Sequence, residues 1–430
     1  MYYMERAMKG LTSPRVWKIS ILVLILCLAL PLTNAIHATG ATSTIPLCSS
    51  KVCPPIGPEG VAYDSAKGEI FVANYLGNNV LVISDKTNTV VANVTGLSEP
   101  YELAYDSAKG EVFASNLNSS SVSVISDSTN TVVAKIPFAS GLQGGGGLAY
   151  DSAKGEIFVS GESGYIFVVS DTTNKVVANV SVPTIGGFPG VTGSIVYDSA
   201  KGEIFASFYY SVLVVSDNNN TVVATVGMPN QNINGLAYDP GKGEVFVTQD
   251  SAPLIVSVIS DQTNTIVATV NLGNFAGQSP QWAAYDSGKG EVFVDNNCAT
   301  DVCGGTNTVT VISDSTNAWV GNVTVGSGPV LMAYDSGMGE MFVSNYYSGS
   351  LSVIPDSSTT SASASSTTSS PSSVASTTST PTPTSTSSSS SSSSSSKTSL
   401  PLTYSALVAI VAATLVSALA VTRRRQRARF

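Results

Sequence analysis

Histidine and arginine are nearly absent from this 430-residue chain. The one histidine is His37, close to the N-terminus, and no arginine occurs between Arg15 and Arg423. The body of the chain therefore lacks the residue that most often serves as a catalytic base or as a ligand of haem and zinc. It also contains no C-x-x-C-H haem motif and no G-x-S-x-G nucleophile motif. These absences argue against most lyases, serine hydrolases and haem proteins, and we expect no cofactor.

Positive charge of any kind is scarce. Between residues 39 and 399 the chain has 11 Lys against 28 Asp and Glu, a net charge of −17. An exterior this acidic repels the phosphates of nucleic acid and the head groups of anionic lipid. We therefore expect no nucleic-acid partner.

Cysteine is used sparingly, and its spacing is regular. Of the five cysteines, Cys27 lies in an apolar N-terminal run, and the other four form two C-x4-C pairs, Cys48 with Cys53 and Cys298 with Cys303. In an exported chain without a nearby histidine, this spacing favours two local disulfides over a metal site. Zinc binding by the same pairs is the alternative.

One heptapeptide, Tyr-Asp-Ser-Ala-Lys-Gly-Glu or a near copy, occurs seven times. The copies begin at Tyr63, Tyr105, Tyr150, Tyr197, Tyr238, Tyr285 and Tyr334. Their spacing of 41 to 49 residues has room for four short strands and their turns, but not for an independent domain. Each unit must then bury its apolar faces against its neighbours, as in a propeller or a solenoid.

The first copy contains four predicted strands. They are 61–63, 69–74, 80–83 and 89–94, and they are separated by turn residues such as Gly68. Four antiparallel strands of this length make one propeller blade. The sequence therefore predicts an all-β, seven-bladed β-propeller over residues 42–356. The seventh copy ends before its fourth strand, and we expect residues 42–47 to supply that strand and close the ring.

The segments around the predicted ring have other compositions. Residues 1–38 carry basic residues followed by an apolar run, which is typical of a secretory signal peptide, with an uncleaved anchor as the alternative. Residues 357–399 are rich in Ser, Thr and Pro, a composition that predicts a disordered stalk. Residues 402–421 have the length and apolarity of a transmembrane helix, and residues 422–430 form a basic tail.

Charge sets the expected topology of the chain. Because basic residues favour the cytoplasmic side, we expect a single-pass cell-surface protein with an extracellular propeller and a cytoplasmic C-terminus. The alternative is processing at a sortase-like segment that begins at Leu400.

Five Asn-x-Ser/Thr sequons are candidates for N-glycosylation. They lie at Asn93, Asn118, Asn179, Asn219 and Asn322. Three of them, Asn93, Asn179 and Asn322, fall late in a predicted fourth strand, on the rim of the ring, where a sugar would meet solvent. The alternative is coincidence in a repeat rich in Thr and Asn.

Several repeat elements resemble those of a known family. The second predicted strand ends in FVANY at 71–75 and in FVSNY at 342–346, and a Val-x-Val-Ile strand and a Thr-Asn-Thr-Val-Val-Ala segment follow the first of these. Residues 60–356 resemble the YVTN family of β-propellers, although Phe replaces the leading Tyr. The resemblance implies an exported, surface-layer-like propeller and says little about activity.

The residues that do not repeat are the better functional candidates. Connections between second and third strands, and between blades, emerge on one face of a propeller, and here they vary in length and chemistry. Variable loops on a rigid scaffold are common binding sites. Five aromatic residues in this set are candidates for ligand binding: Tyr75, Tyr101, Trp282, Tyr346 and Tyr347. The alternative is that several of them fill gaps between blades.

These observations predict a non-enzymatic, membrane-anchored propeller that binds a glycan or a protein through its variable loops. One alternative is an extracellular lyase or hydrolase that depends on calcium, with Asp295 and Asp301 as carboxylate ligands. Another is a structural component of a surface layer.

Overall fold

The structure is a computed structural model that describes residues 42–48, 56–138, 146–161, 164–184, 192–229, 232–273, 279–297 and 307–356. The predicted signal peptide, stalk, transmembrane helix and basic tail lie outside the described residues, and so do Cys53, Cys298 and Cys303. Within the described ranges, all regular secondary structure consists of β-strands. The part of the chain that the structure describes contains no helix long and apolar enough to cross a membrane.

The strands form seven antiparallel sheets, each of four strands. One strand, β1 (Ser43–Pro46), precedes the repeats. Blade 1 consists of β2 (Pro58–Asp64), β3 (Glu69–Asn74), β4 (Asn79–Ser84) and β5 (Thr89–Val94). Blade 2 consists of β6 (Pro100–Asp106), β7 (Glu111–Asn116), β8 (Ser121–Ser126) and β9 (Thr131–Pro137). Blade 3 consists of β10 (Leu148–Asp151), β11 (Glu156–Ser160), β12 (Tyr165–Ser170) and β13 (Lys175–Ser181).

The other four blades continue this order. Blade 4 consists of β14 (Thr192–Asp198), β15 (Glu203–Phe208), β16 (Ser211–Ser216) and β17 (Thr221–Gly227). Blade 5 consists of β18 (Ile233–Asp239), β19 (Glu244–Gln249), β20 (Leu254–Ser260) and β21 (Thr265–Gly273). Blade 6 consists of β22 (Ala283–Asp286), β23 (Glu291–Asp295), β24 (Thr308–Ser313) and β25 (Ala318–Thr324). Blade 7 consists of β26 (Pro329–Asp335), β27 (Glu340–Asn345), β28 (Ser350–Pro355) and, as its outer strand, β1.

The seven sheets form a closed ring. The first strand of each blade contacts the first strand of the next, and β26 of blade 7 contacts β2 of blade 1. First strands therefore surround a central channel and fourth strands form the rim. The predicted seven-bladed β-propeller is confirmed. The predicted strands 69–74 and 89–94 match β3 and β5, whereas β2 begins earlier than predicted, at Pro58.

The ring closes through a strand from outside the repeats. Strand β1 pairs antiparallel with β28, with Ser43 opposite Val353 and Pro46 opposite Ser350. Ile45 is 3% exposed and Leu47 is 5% exposed. Their side chains join a buried cluster formed by residues of blades 7 and 1. The expectation that residues 42–47 complete the seventh blade is confirmed.

Apolar side chains fill the space between every pair of neighbouring blades. Seven buried clusters occur, one at each seam. A phenylalanine at the same position of the second strand is fully or almost fully buried in every blade: Phe71, Phe113, Phe158, Phe205, Phe246, Phe293 and Phe342. Each blade thus contributes one half of two cores, which explains why a single repeat is not a stable unit.

The repeated heptapeptide forms the turn between the first and second strands. In blade 1, Asp64 Oδ1 accepts hydrogen bonds from the backbone N–H groups of Ala66 (2.9 Å) and Lys67 (3.1 Å). Gly68 has a φ of +68°, and a Cβ there would lie 2.3 Å from Asp85 Oδ2. Only glycine combines this backbone conformation with so close an approach. The predicted turn role of Gly68 is confirmed.

The same turns link neighbouring blades. The Tyr238 hydroxyl donates to Asp198 of the preceding blade at 2.6 Å. Burial is the main cause of the raised pKa of Tyr238, and Asp198 raises it further. The pKa of Tyr63 is raised in the same way, by burial and then by Asp335 across the closing seam. At four seams a lysine also pairs with an aspartate of the following blade: Lys67–Asp127 (3.3 Å), Lys109–Asp171 (3.2 Å), Lys154–Asp217 (3.2 Å) and Lys242–Asp314 (3.7 Å). The repeated residues of the heptapeptide therefore have a structural role.

Candidate functional site

The two ends of the ring differ. We call the end with the heptapeptide turns the turn face, and the opposite end, where second strands connect to third strands and each blade to the next, the variable face. Two cavities open where the central channel reaches the variable face. They share Tyr101, Gln281 and Trp282.

The first cavity, which we call the aromatic cavity, has a volume of about 300 Å³. It is lined by Glu59, Tyr101, Gln281, Trp282, Asn297, Val330, Tyr346 and Tyr347. The second, which we call the polar cavity, has a volume of about 360 Å³. Besides the shared residues it is lined by Gly147, Gly193, Ser194, Ser207, Tyr209, Ile233 and Asn234. Both cavities thus combine aromatic rings with uncharged hydrogen-bonding groups, and only the aromatic cavity contains a carboxylate.

The rings of the aromatic cavity form two edge-to-face pairs. The centroids of Tyr101 and Trp282 are 6.1 Å apart with an interplanar angle of 66°. The centroids of Tyr346 and Tyr347 are 5.3 Å apart with an angle of 89°. Edge-to-face packing of this kind fixes ring orientation. These ring–ring contacts therefore stabilise the wall of the cavity.

Two glycines allow the tyrosine pair to approach the channel. The Tyr346 N–H donates to the Gly328 carbonyl at 2.7 Å. Gly328 has a φ of +69°, and a Cβ there would lie 2.4 Å from Tyr347. A Cβ at Gly57 would lie 2.9 Å from the Tyr346 ring. Larger residues at these positions would displace both tyrosines.

Glu59 and Tyr101 face the cavity from corresponding positions of neighbouring blades. Each lies where the register of a first strand shifts, between Pro58 and Val61 in β2 and between Pro100 and Leu103 in β6. Such bulges redirect side chains and are common beside binding sites. Ser344 of blade 7 donates its hydroxyl to the Glu59 carbonyl at 2.7 Å, which fixes the backbone at this point.

Asp295 fixes the backbone that carries Trp282. Its Oδ1 atom accepts hydrogen bonds from the N–H groups of Gln281 (2.8 Å) and Trp282 (2.6 Å). Five other blades have a serine or threonine at this position of the second strand: Ser115, Ser160, Ser207, Thr248 and Ser344. Asp295 is fully buried, and its Oδ2 atom has no hydrogen-bond partner. Burial raises its pKa well above the ordinary value, and the nearby Glu59 raises it further.

Two glutamates at the same end of the channel are also perturbed. Burial raises the pKa of Glu59 to about 8. Burial likewise raises the pKa of Glu102 to about 8, although a hydrogen bond from the Leu148 backbone partly opposes this. The Oε2 atom of Glu102 is buried without a hydrogen-bond partner. This end of the channel therefore concentrates carboxyl groups that hold their protons near neutral pH.

The structure brings four of the five predicted binding residues together. Tyr101, Trp282, Tyr346 and Tyr347 line the aromatic cavity. Tyr75 lies beside it, and its hydroxyl donates to Glu99 Oε2 at 3.1 Å. Burial, followed by Glu99, raises the pKa of Tyr75. Whether these residues bind a ligand stays a prediction.

Other predicted sites are also located by the structure. All five sequon asparagines are exposed, including Asn93, whose Oδ1 accepts a hydrogen bond from Asn79 Nδ2 at 2.6 Å. Cys48 is disulfide-bonded, but Cys53, its predicted partner, lies outside the described residues. Asp301, the other calcium ligand considered with Asp295, also lies outside them. The described residues include no group of three or more His, Cys, Asp or Glu that could hold a metal ion.

Glu59 and Glu102 were not predicted from the sequence, because functional residues were expected only in the variable loops. Both residues lie at the start of a first strand, in a segment that differs in every blade. Aligning the seven copies upstream of the heptapeptide would have exposed this variation inside the strands. Their convergence on the channel, however, depends on the closed ring and on the bulges.

The fold and these cavities define the protein as a seven-bladed β-propeller with a structured channel mouth. No protein-family model matches the chain. No curated protein sequence matches it either. Among solved structures, one described as Kuenenia stuttgartiensis hydrazine synthase matches with a TM-score of 0.61 and 16% identity, over 72% of this chain and 97% of that chain. A likeness at this identity shows the fold alone.

Proposed function

We propose that this protein is a membrane-anchored propeller of the cell surface that binds a glycan or a protein through its variable face. The observation that carries the proposal is the aromatic cavity, where Tyr101, Trp282, Tyr346 and Tyr347 line one space together with the amide side chains of Gln281 and Asn297. Aromatic faces beside amide groups suit sugars and polar protein surfaces. The polar cavity next to it would extend the binding surface.

The path of the chain supports the proposed anchoring. Strand β28 runs toward the turn face, where the Asp356 N–H donates to the Gly339 carbonyl at 2.8 Å. The Ser/Thr-rich segment and the apolar segment of the sequence follow this point. A ring attached from its turn face would present its variable face to the surroundings. The resemblance to YVTN propellers supports a surface location, and lateral packing in a surface layer is compatible with it.

Binding is tested by replacing an aromatic residue of the cavity and one of the rim. Trp282→Ala removes a wall of both cavities, and Tyr346→Ala removes a ring of the aromatic cavity. The matched control is Trp319→Ala in β25, because Trp319 is 49% exposed on the outer strand of the same blade. We expect the cavity variants to lose attachment to isolated cell envelopes and to glycan arrays, and the control to retain it. Unchanged attachment of both cavity variants would refute the proposal.

A second function is favoured by one observation: Glu59 lines the aromatic cavity, and burial raises its pKa to about 8. A carboxyl group that keeps its proton near pH 7 can act as a general acid, as in glycoside hydrolysis. An extracellular hydrolase is therefore the competing proposal. Incubating the protein with envelope polysaccharides and analysing the reducing ends tests it. New reducing ends with the wild type, lost in Glu59→Gln, would favour the enzyme over a binding protein.

A further inference from the structure

We propose that the aromatic cavity binds an alkylated ammonium group, such as that of choline or of methylated lysine. This inference rests on the proposed binding function of the variable face and specifies the chemistry that the face recognises. Four aromatic side chains and one carboxylate line the same space of about 300 Å³. The electron-rich faces of Trp and Tyr attract cations, and quaternary ammonium groups are bound by such aromatic enclosures.

The aromatic cavity contains more aromatic side chains than packing between blades requires. Tyr101, Trp282 and Tyr346 are only partly buried, and Tyr347 is 50% exposed. The seams themselves are filled by aliphatic residues and the repeated phenylalanines, with heptapeptide tyrosines such as Tyr63 and Tyr334 packed against them. The four rings instead converge from blades 2, 6 and 7 on a space large enough for a methylated ammonium group and its first carbons.

The ionised form of the Glu59 carboxyl has no cationic partner among the described residues. Burial is the cause of the raised pKa of Glu59, and no described residue provides a cation beside its carboxylate. The described lysines lie in turns of the turn face or on outer strands, as Lys67 and Lys135 illustrate. Asp295 adds a second buried carboxyl near Glu59, with one oxygen unpartnered. A bound ammonium group would supply the charge that the protein omits here.

The neighbours of Glu59 determine how binding depends on pH. The titratable groups around it are Tyr75, Tyr101, Asp295 and Tyr346, and none of them is cationic. In the free protein Glu59 is largely protonated below pH 8. A permanently charged ligand binds the ionised carboxylate better, so its affinity must rise with pH up to about 8 and level off above it. A neutral ligand would show no such rise.

Calorimetric titration of the full-length protein with choline tests the inference. The matched probe is 3,3-dimethylbutanol, which has the same shape without the charge. We expect choline to bind and the neutral analogue to bind at least about tenfold more weakly, because the cation–π and carboxylate terms are lost. Equal binding of both probes, or no choline binding at pH 9, would overturn the inference.

Variants separate charge from shape. Glu59→Gln preserves size, so we expect a folded protein whose choline affinity falls about tenfold at pH 9 and rises less with pH than that of the wild type. Trp282→Ala should abolish choline binding, and Trp319→Ala on the rim should leave it unchanged. Undiminished choline binding by Glu59→Gln would contradict the assigned counter-charge.

Two further arms identify the source of the ammonium group and separate this inference from the proposed function. The arms are a polysaccharide substituted with phosphocholine and a peptide containing trimethyllysine, each compared with its unmodified form. Preference for either modified form supports the inference, and preference for neither overturns it. If choline fails to bind while Trp282→Ala still abolishes envelope attachment, this inference fails and the proposed function stands.

Discussion

The turn face and the variable face of this ring are built from the same seven repeats, yet they differ in chemistry. On the turn face the polar groups repeat from blade to blade, and several of them bind a group of a neighbouring blade, as Tyr238 binds Asp198. On the variable face Glu59, Glu102 and Asp295 each occur once, and burial raises the pKa of all three. The repeated groups therefore belong to the turns that link the blades, whereas the carboxyl groups that occur only once lie at the variable face.

The strongest test of the comparison removes the strand that closes the ring. Deleting residues 42–47 exposes the seam between blades 7 and 1 and leaves β28 as an open edge. Loss of the buried side chains of Ile45 and Leu47 alone should cost about 3–6 kcal/mol. We expect a large fall in the melting temperature measured by circular dichroism. Thr44→Ala, an exposed position in the same strand, is the control and should melt like the wild type. An unchanged melting temperature of the deletion would show that the ring does not depend on this closure.

A second test targets one glycine of the turn face. Gly202 has a φ of +65°, and a Cβ there would lie 2.6 Å from Asp217 Oδ2. Gly202→Ala should therefore lower the free energy of unfolding by about 1–3 kcal/mol. Gly227→Ala is the control, because a Cβ at Gly227 meets nothing within 4 Å. Denaturant titration measures both, and ligand binding by Gly202→Ala should match the wild type. Equal stability of the two variants would contradict the structural role of the turn.

A third test measures how the buried carboxyl group of Glu102 changes the free energy of unfolding with pH. The pKa of Glu102 rises from 4.5 to about 8 on folding, so the native state holds a proton that the unfolded state has released between these values. The stability of the wild type should therefore decrease as pH rises from about 5 to 8. Glu102→Gln should flatten this decrease by on the order of 1 kcal/mol or more. Parallel pH profiles of the two proteins in urea titrations would rule out this assignment.

The smallest expected effect concerns the seam between blades 7 and 1, where the heptapeptide lacks its lysine. Met338, 52% exposed, occupies the heptapeptide position that is lysine in the other six blades. The corresponding acceptor, Asp85 of blade 1, has a buried Oδ1 atom without a partner. Met338→Lys should pair with it and stabilise the protein by about 0.2–1 kcal/mol. Met338→Gln controls for the loss of the apolar side chain. A gain that is equal in both variants would exclude the ion pair.

Most of the fold could be predicted from the sequence, because its determinants are local and repeated. Asp64 and Gly68 form a turn within five residues, and each Phe of the second strand follows the heptapeptide at a fixed distance. The closing role of residues 42–47 followed from the missing fourth strand of blade 7. The turn and the phenylalanine occur in all seven copies, so each copy supports the prediction for the others. The closing strand follows from the number of strands predicted for blade 7.

The candidate site could be predicted only in part. Tyr346 and Trp282 stood out as aromatic residues of variable loops, and closure of the ring brings their blades side by side. Glu59 did not stand out, because its orientation depends on a bulge and the rise of its pKa depends on burial by other blades. Asp295 was noticed as a carboxylate, but its hydrogen bonds to the backbone of Trp282 follow from strand pairing. Properties that depend on contacts between blades cannot be predicted from the sequence of a single repeat.

The pairing of β1 with β28 also dictates an order of assembly. Ser43 and Val353 are partners, so a strand that is synthesised before blade 1 must wait for the last blade. The other six seams join blades that are consecutive in the sequence. They can therefore form as synthesis proceeds. The core that unites Ile45 with Phe342 and Leu351 must form last, through contacts of very long sequence separation. Completion of the ring is thus a single late event, and until it occurs blade 7 presents an unpaired edge that a neighbouring chain could occupy.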